Sequence, residues 1–98
     1  MASIKVTSMD LRNTASTLRE YNTNFKTQVA ALESSEAALS GQWQGDANTA
    51  FHKAFLNDKA FMDKFAVEIE KYCAVLETAA AKYDAQEAAN VELANQRN

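Results

Sequence analysis

The stretch Gly41-Gln42-Trp43-Gln44-Gly45-Asp46 decides the fold of this chain. It holds both glycines of the 98-residue sequence, which has no proline. Gly41 can end a helix in the left-handed conformation, and Gly45 can adopt a positive φ. Asp46 can accept hydrogen bonds from the free amides at the start of a following helix. The stretch therefore predicts a turn, at residues 41–46, between two helices.

The sequence before the turn has the periodicity of one long helix. Thr7 followed by Asp10 fits a capping box, so we place helix 1 at about 8–40. Asn22 and Glu36 fall on otherwise apolar positions and make the pattern imperfect. The apolar residues that recur every seven positions on one face are Ile4, Leu11, Leu18, Phe25, Leu32 and Leu39.

The sequence after the turn predicts a second helix at about 46–88, followed by a polar, alanine-rich tail to residue 98. Two heptad rows, meaning residues spaced seven apart, lie side by side on it. One row is Phe55, Met62, Ile69, Leu76 and Tyr83; the other is Phe51, Asp58, Phe65, Tyr72 and Ala79. We expect a single all-α domain over 1–98, an antiparallel two-helix hairpin.

The apolar stripes are wider than a two-helix hairpin can bury. The stripe spans about 160° on helix 2 and about 120° on helix 1, and each helix is about 50 Å long. We therefore expect two hairpins to dimerise into a four-helix bundle, with either a like or a similar chain as the second hairpin. The expected core and dimer seam is Leu11, Leu18, Phe25, Leu32, Leu39, Phe51, Phe55, Met62, Phe65, Ile69, Tyr72 and Leu76.

Charge and hydropathy exclude several classes of partner. The formal net charge is -3, and no run of Lys or Arg could follow a phosphate backbone, so we expect no nucleic acid. No stretch approaches the apolar length of a transmembrane helix, and no apolar segment of a signal peptide follows residues 1–5. Helix 2 is amphipathic, but its apolar face is needed for packing and the chain is acidic, so we expect no stable membrane insertion.

No group of residues in the sequence points to catalysis, and we expect no enzyme activity, no cofactor and no metal site. His52 is the only histidine and Cys73 the only cysteine, and both are interpreted as structural. Asp58 and Glu36 lie on apolar rows. The favoured interpretation is that they reach water at the edge of a seam, and the alternative is that they pair with a Lys or Arg of a partner and fix the register.

Two further features have both a structural and a functional interpretation. Trp43 at the turn is most simply an apolar plug at the end of the bundle. Tyr83 and Glu87 are four residues apart and share one face of helix 2. They are interpreted either as a last core aromatic beside a solvated acid or as a short recognition face.

Together these features resemble the WXG (Trp-Xaa-Gly, early-secreted-antigen-like, ESX) family of proteins of about a hundred residues. The resemblance covers length, two helices, Trp43-Gln44-Gly45 near the midpoint, and Tyr83-Asp84-Ala85-Gln86-Glu87, which matches the family's Tyr-x-x-x-Asp/Glu export signal. It implies a turn motif at Trp43 and Gly45 and an export signal at Tyr83 and Glu87.

The resemblance also implies a function. Members are small substrates of type VII secretion that leave the cell without a classical signal peptide, as folded homodimers or heterodimers. In such dimers the turn of one subunit lies near the signal of the other, and an FtsK/SpoIIIE-like ATPase recognises the combined surface. Two alternatives remain: a chaperone-like targeting partner for a larger toxin with a helical N-terminal region, and an intracellular coiled-coil adaptor.

Overall fold

A computed structural model describes residues 6–96, which form two long helices in an antiparallel hairpin. α1 is Ser8–Gln42 and α2 is Asp46–Gln96. The hairpin is a rod with extents of 81 × 24 × 21 Å. The all-α fold expected from the sequence is confirmed, and it leaves each helix with only one other helix to pack against.

The start of α1 is fixed by the capping box that the sequence predicted. The Thr7 hydroxyl accepts a hydrogen bond from the Asp10 amide, and the Asp10 carboxylate accepts one from the Thr7 amide, each at 3.0 Å. These two bonds satisfy amides that the first helical turn leaves without a partner. The helix begins at Ser8 for this reason.

The turn differs in detail from the expectation. Gly41 does not end α1, because the helix continues to Gln42 and Trp43 follows in an extended conformation. The positive φ, 118°, occurs at Gly45 instead. The amide group of Asn48 donates to the carbonyl oxygens of Ser40 and Trp43. It thereby satisfies carbonyls at the end of α1, a role that the sequence had suggested for a glycine cap.

α2 continues past the expected end at about residue 88 and reaches Gln96. Alanine, glutamate and glutamine in this segment favour a helix even without tertiary contacts. Because α2 has 51 residues and α1 has 35, α2 extends roughly 20 Å beyond the start of α1 at 1.5 Å per residue. Residues 88–96 are all exposed, so the end of the rod is a single helix, which we call the overhang.

The contact between the helices is made mainly by small side chains, not by the large apolar rows. The buried residues are Ala15, Asn22, Val29 and Glu36 of α1 and Phe55, Ala66, Cys73 and Ala80 of α2. Small residues allow two helices to approach closely, which pushes their large neighbours to the flanks. Among the expected seam residues, Phe55 is buried, Leu11, Leu18, Phe25, Met62, Ile69 and Leu76 are half-buried, and Leu32, Leu39, Phe51, Phe65 and Tyr72 are exposed. Ile4 lies outside the described residues.

The interpretation of Glu36 as a carboxylate that reaches water was wrong. Only 5% of its side chain is exposed, and its Oε1 lies 2.6 Å from Nδ1 of His52 on α2. A buried carboxylate needs such a partner. Asp58, in contrast, is exposed. Cys73 is fully buried with its Sγ 3.4 Å from the Ala15 carbonyl oxygen, the position of a packing residue.

Candidate protein-interaction site

One face of the hairpin is covered by ion pairs that join the two helices, and we call it the ion-paired face. Its pairs are Arg12 with Asp84 at 2.7 Å, Arg19 with Glu70 at 3.1 Å, Arg19 with Glu77 at 2.8 Å, and Lys59 with Glu33 at 3.5 Å. Both nitrogens of the Arg19 guanidinium end hold the Glu77 carboxylate, which is the strongest geometry for this pair. This face has its polar groups satisfied within the chain.

The ion pairs shift the titration of their members. Hydrogen bonds from Arg19 lower the pKa of Glu77, and the Glu77 carboxylate, followed by Glu70, raises the pKa of Arg19. The pKa of Asp84 is lowered first by a hydrogen bond from Ser8 and then by one from Arg12. Because these groups are solvent-exposed, their contribution to the free energy of unfolding is small.

The opposite face carries the large apolar side chains, and we call it the apolar face. At 100° per residue the two helices turn these residues to the same side of the hairpin, away from the ion pairs. The face consists of Leu18, Phe25, Leu32 and Leu39 of α1 and Phe51, Phe65, Ile69 and Tyr72 of α2. Exposed fractions of 55% at Phe65 and 63% at Tyr72 are high for core-type residues. A contiguous apolar surface of this kind marks a protein-interaction site.

The apolar face has a cavity at its centre. Its volume is about 280 Å³, and it is lined by Leu18, Tyr21, Asn22, Phe25, Phe65 and Ile69. The rings of Phe25 and Phe65 meet edge to face at its border, with centroids 5.4 Å apart. Side chains of another helix can insert into this cavity.

Trp43 is half-buried at the closed end of the hairpin. Its indole packs against Phe51, with ring centroids 5.7 Å apart, and Phe51 belongs to the apolar face. The indole is therefore continuous with that face. Gly45, two residues later, has the positive φ with which the chain turns into α2.

Tyr83 and Glu87 lie at the other end, where α2 passes the start of α1. They share one face, as their spacing predicts, and both are exposed. They line an open cleft of about 320 Å³ with Val6, Thr7, Ser8, Gln86 and Asn90. The Tyr-x-x-x-Glu pair is therefore accessible to a partner.

Trp43 and Tyr83 lie at opposite ends of the same hairpin. The 35 residues of α1 separate the two ends, a distance of about 50 Å. One chain alone therefore cannot combine the turn motif and the Tyr83–Glu87 pair into one surface. An antiparallel neighbour laid alongside would bring the two motifs together.

The described residues were also compared with the requirements of a metal site and of a membrane-spanning helix. Within residues 6–96, no three His, Cys, Asp or Glu side chains are grouped closely enough to hold a metal ion. Neither α1 nor the described length of α2 has an apolar stretch of the kind that crosses a membrane.

The sequence analysis did not predict the hydrogen-bonding roles of two asparagines, Asn22 and Asn48. Asn22 donates through Nδ2 to the Ala66 carbonyl oxygen at 3.0 Å, and Asn48 caps the end of α1. The available signal for Asn22 was its place on a heptad row beside Ala15 and Val29, where a polar residue must find a partner. For Asn48 it was the position in the first turn of α2, next to the chain reversal.

Comparison with known proteins agrees with the hairpin. The sequence pattern of the WXG100 family, described as proteins of 100 residues with WXG, matches residues 3–88. The ESAT-6-like protein EsxB of Mycobacterium tuberculosis is 28% identical over 83 residues, 85% of this chain and 83% of that protein. The crystal structure of the secreted protein EsxB from Bacillus anthracis superimposes with a TM-score of 0.79 at 26% identity, over 89% of this chain and 99% of that one. EsxA of Geobacillus thermodenitrificans has the same fold, with a TM-score of 0.76 at 22% identity over 90% of this chain and 95% of that one.

Proposed function

The chain belongs to the WXG100 family, and on this basis we propose that it is a small, non-enzymatic substrate of a type VII (ESX-type) secretion system. It leaves the cell as a folded helical dimer. The observation that carries the proposal is the exposed Tyr83–Glu87 pair on α2, in the position of the family's export signal.

The apolar face supports the dimer. Phe65, Tyr72 and Leu32 each expose half or more of their accessible surface, and leaving such side chains in water forgoes about 1.5–3 kcal/mol for each one that could be fully buried. A second hairpin laid on this face covers it along its whole length. The product is a four-helix bundle with both apolar faces inside and both ion-paired faces outside.

The dimer would also join the two motifs. In an antiparallel pair, the closed end of one hairpin lies beside the open end of the other. Trp43 of one subunit then stands near Tyr83 and Glu87 of the other, and the surface exists only in the folded dimer. We propose that an FtsK/SpoIIIE-like ATPase recognises this combined surface, which would restrict export to assembled pairs.

The test is a substitution in the signal that leaves the fold intact. Because Tyr83 is exposed and outside the buried contact, Tyr83→Ala should keep the helical content and the dimer but abolish export in a secretion assay. The matched control is Lys82→Ala, an exposed neighbour on a different side of the same turn, which should be exported normally. Normal export of Tyr83→Ala would refute the signal. Co-purification with a larger toxin, without self-association, would instead indicate a targeting partner.

A further inference from the structure

The side of α2 that is turned away from α1 carries four lysines in a line, and we call them the lysine stripe. At 100° per residue their side chains leave the helix within about 20° of one another. Their spacings of eleven, seven and eleven residues extend the stripe over about 43 Å of the rod. All four members are exposed: Lys53, Lys64, Lys71 and Lys82. A chain with a net charge of -3 therefore has one positively charged side.

The carboxylates of α2 between the ends of the stripe do not neutralise it. Glu68 borders the stripe and pairs with Lys71 at 3.0 Å, whereas Asp58 belongs to a heptad row of the apolar face. The others are turned toward basic residues of the ion-paired face: Asp63, Glu70 and Glu77. In the described residues 6–96, the other three lysines of the stripe take part in none of the ion pairs. Their charge is available to a partner.

A depression lies on the stripe between Lys71 and Lys82. Its volume is about 310 Å³, and Lys82 stands at its edge. Val75 in the depression exposes 63% of its accessible surface, so an apolar surface lies in water between two positive charges. The remaining lining consists of small side chains: Ala74, Thr78 and Ala79. Such a depression can receive a side chain from a docked helix.

The lysine stripe stays accessible when a second hairpin covers the apolar face. Phe65 and Tyr72 of that face leave α2 roughly 100° around the helix axis from the stripe. The contact with α1, made through Ala66 and Cys73, lies on the far side of the helix. The stripe is therefore separate from the contact within the hairpin and from the contact of the proposed dimer.

The geometry of the stripe favours a helix as its partner over a lipid surface or a nucleic acid. An anionic membrane repels a chain of net charge -3 as a whole, and a planar surface leaves the depression unfilled. The phosphates of a nucleic acid recur more closely than these lysines, which are about 16, 10 and 16 Å apart along the axis. In a helix, residues eleven apart share one face at about 16 Å, the separation of Lys71 and Lys82.

We propose that the lysine stripe is a docking surface for an acidic helix of another protein. Two carboxylates of that helix, eleven residues apart, pair with Lys71 and Lys82, and an apolar side chain between them occupies the depression. The other two lysines continue the positive surface along the same line. Tyr83 leaves α2 roughly 100° around the axis from the stripe, so docking here is separate from recognition of the Tyr83–Glu87 pair and adds a second surface to the proposed function.

A designed peptide tests the charge pairing. The probe is a fluorescein-labelled helix of alanine and glutamine that carries two glutamates eleven residues apart and a leucine between them on the same face. Fluorescence anisotropy with the full chain at about 20 mM salt should show saturable binding, because exposed ion pairs are strongest at low ionic strength. A peptide of the same composition has its second glutamate nine residues after the first, on the opposite side of the helix. It should bind at least about fivefold more weakly.

Substitutions in the chain separate charge from shape. Lys71→Glu and Lys82→Glu should each weaken binding of the probe at least about fivefold, because an attraction becomes a repulsion. The matched control is Lys26→Glu, at an exposed lysine of α1, which should change it about twofold at most. Ala74→Gln occupies the depression without a change of charge and should weaken binding at least about threefold. Ala38→Gln, at an exposed position of α1, should have no effect.

The outcomes decide between classes of partner. No saturable binding of the probe up to about 1 mM would overturn the proposal. If vesicles with phosphatidylglycerol then bind the chain and Lys71→Glu abolishes this, the stripe belongs to a lipid surface instead. Probe binding that does not depend on the glutamate spacing or on Ala74→Gln would overturn the docking geometry. Circular dichroism should show parental helical content in every variant, and the Tyr83→Ala secretion assay decides the export signal separately.

Discussion

The two faces of this hairpin differ in the side chains that they expose to water: one exposes paired charges and the other exposes large apolar groups. On the ion-paired face, Arg12, Arg19 and Lys59 find carboxylates on the other helix of the same chain. On the apolar face, Phe65 and Tyr72 find no such cover and expose more than half of their accessible surface. Charged groups can remain in water at little cost, whereas large apolar groups cannot. The difference teaches that the ion-paired face is complete in one chain and the apolar face is complete only in an assembly.

The largest effect is expected on the apolar face. Phe65→Asp should raise the dimer dissociation constant at least about a hundredfold, because a carboxylate without a partner would be buried in the covered face. Sedimentation equilibrium measures it. Val67→Asp places the same charge on the outer side of α2 and should leave the dimer within about threefold of the parent. Equal effects of the two substitutions would contradict the assignment of the faces.

A smaller effect, on the free energy of unfolding, is expected from a substitution in the buried contact between α1 and α2. Ala15 is 1% exposed and lies against Cys73, so Ala15→Leu must push the helices apart and should lower the free energy of unfolding by about 1–3 kcal/mol. Urea unfolding at fixed protein concentration measures this. Ala31→Leu, at an exposed position of α1, is the control and should be nearly neutral. If Ala15→Leu were also neutral, the close approach of the helices would be wrong.

The smallest effect is expected on the ion-paired face. Because the pKa of Glu77 is lowered from its ordinary value of 4.5, the folded state binds its proton less readily than the unfolded state. The resulting stabilisation is present above pH 4.5 and is lost as the pH falls through the lowered pKa. Glu77→Gln should therefore lower the melting temperature slightly at pH 7, and the difference from the parent should shrink as the pH falls below 4.5. A difference that grew on acidification would refute this.

The sequence predicted local structure better than packing. The capping box of Thr7 and Asp10 and the positive φ at Gly45 depend on neighbouring residues only, and both are present. The burial of Glu36 depends on His52, which lies on the other helix. Because heptad spacing does not reveal which of several adjacent rows faces the other helix, the small residues were overlooked as the core. The same limit applies to the functional site: both motifs and their places at opposite ends of the hairpin were visible in sequence, but the packing of Trp43 against Phe51 was not.

The unequal length of the two helices determines which surface a translocation machinery would meet at the ends of the dimer. In a twofold dimer, each overhang projects past the closed end of the other copy, so both tips of the rod consist of one bare helix. Val91 and Leu93 are exposed there. The two tips are identical by symmetry. Such a particle has no leading or trailing end, and machinery that draws it through a pore meets the same surface whichever tip arrives first.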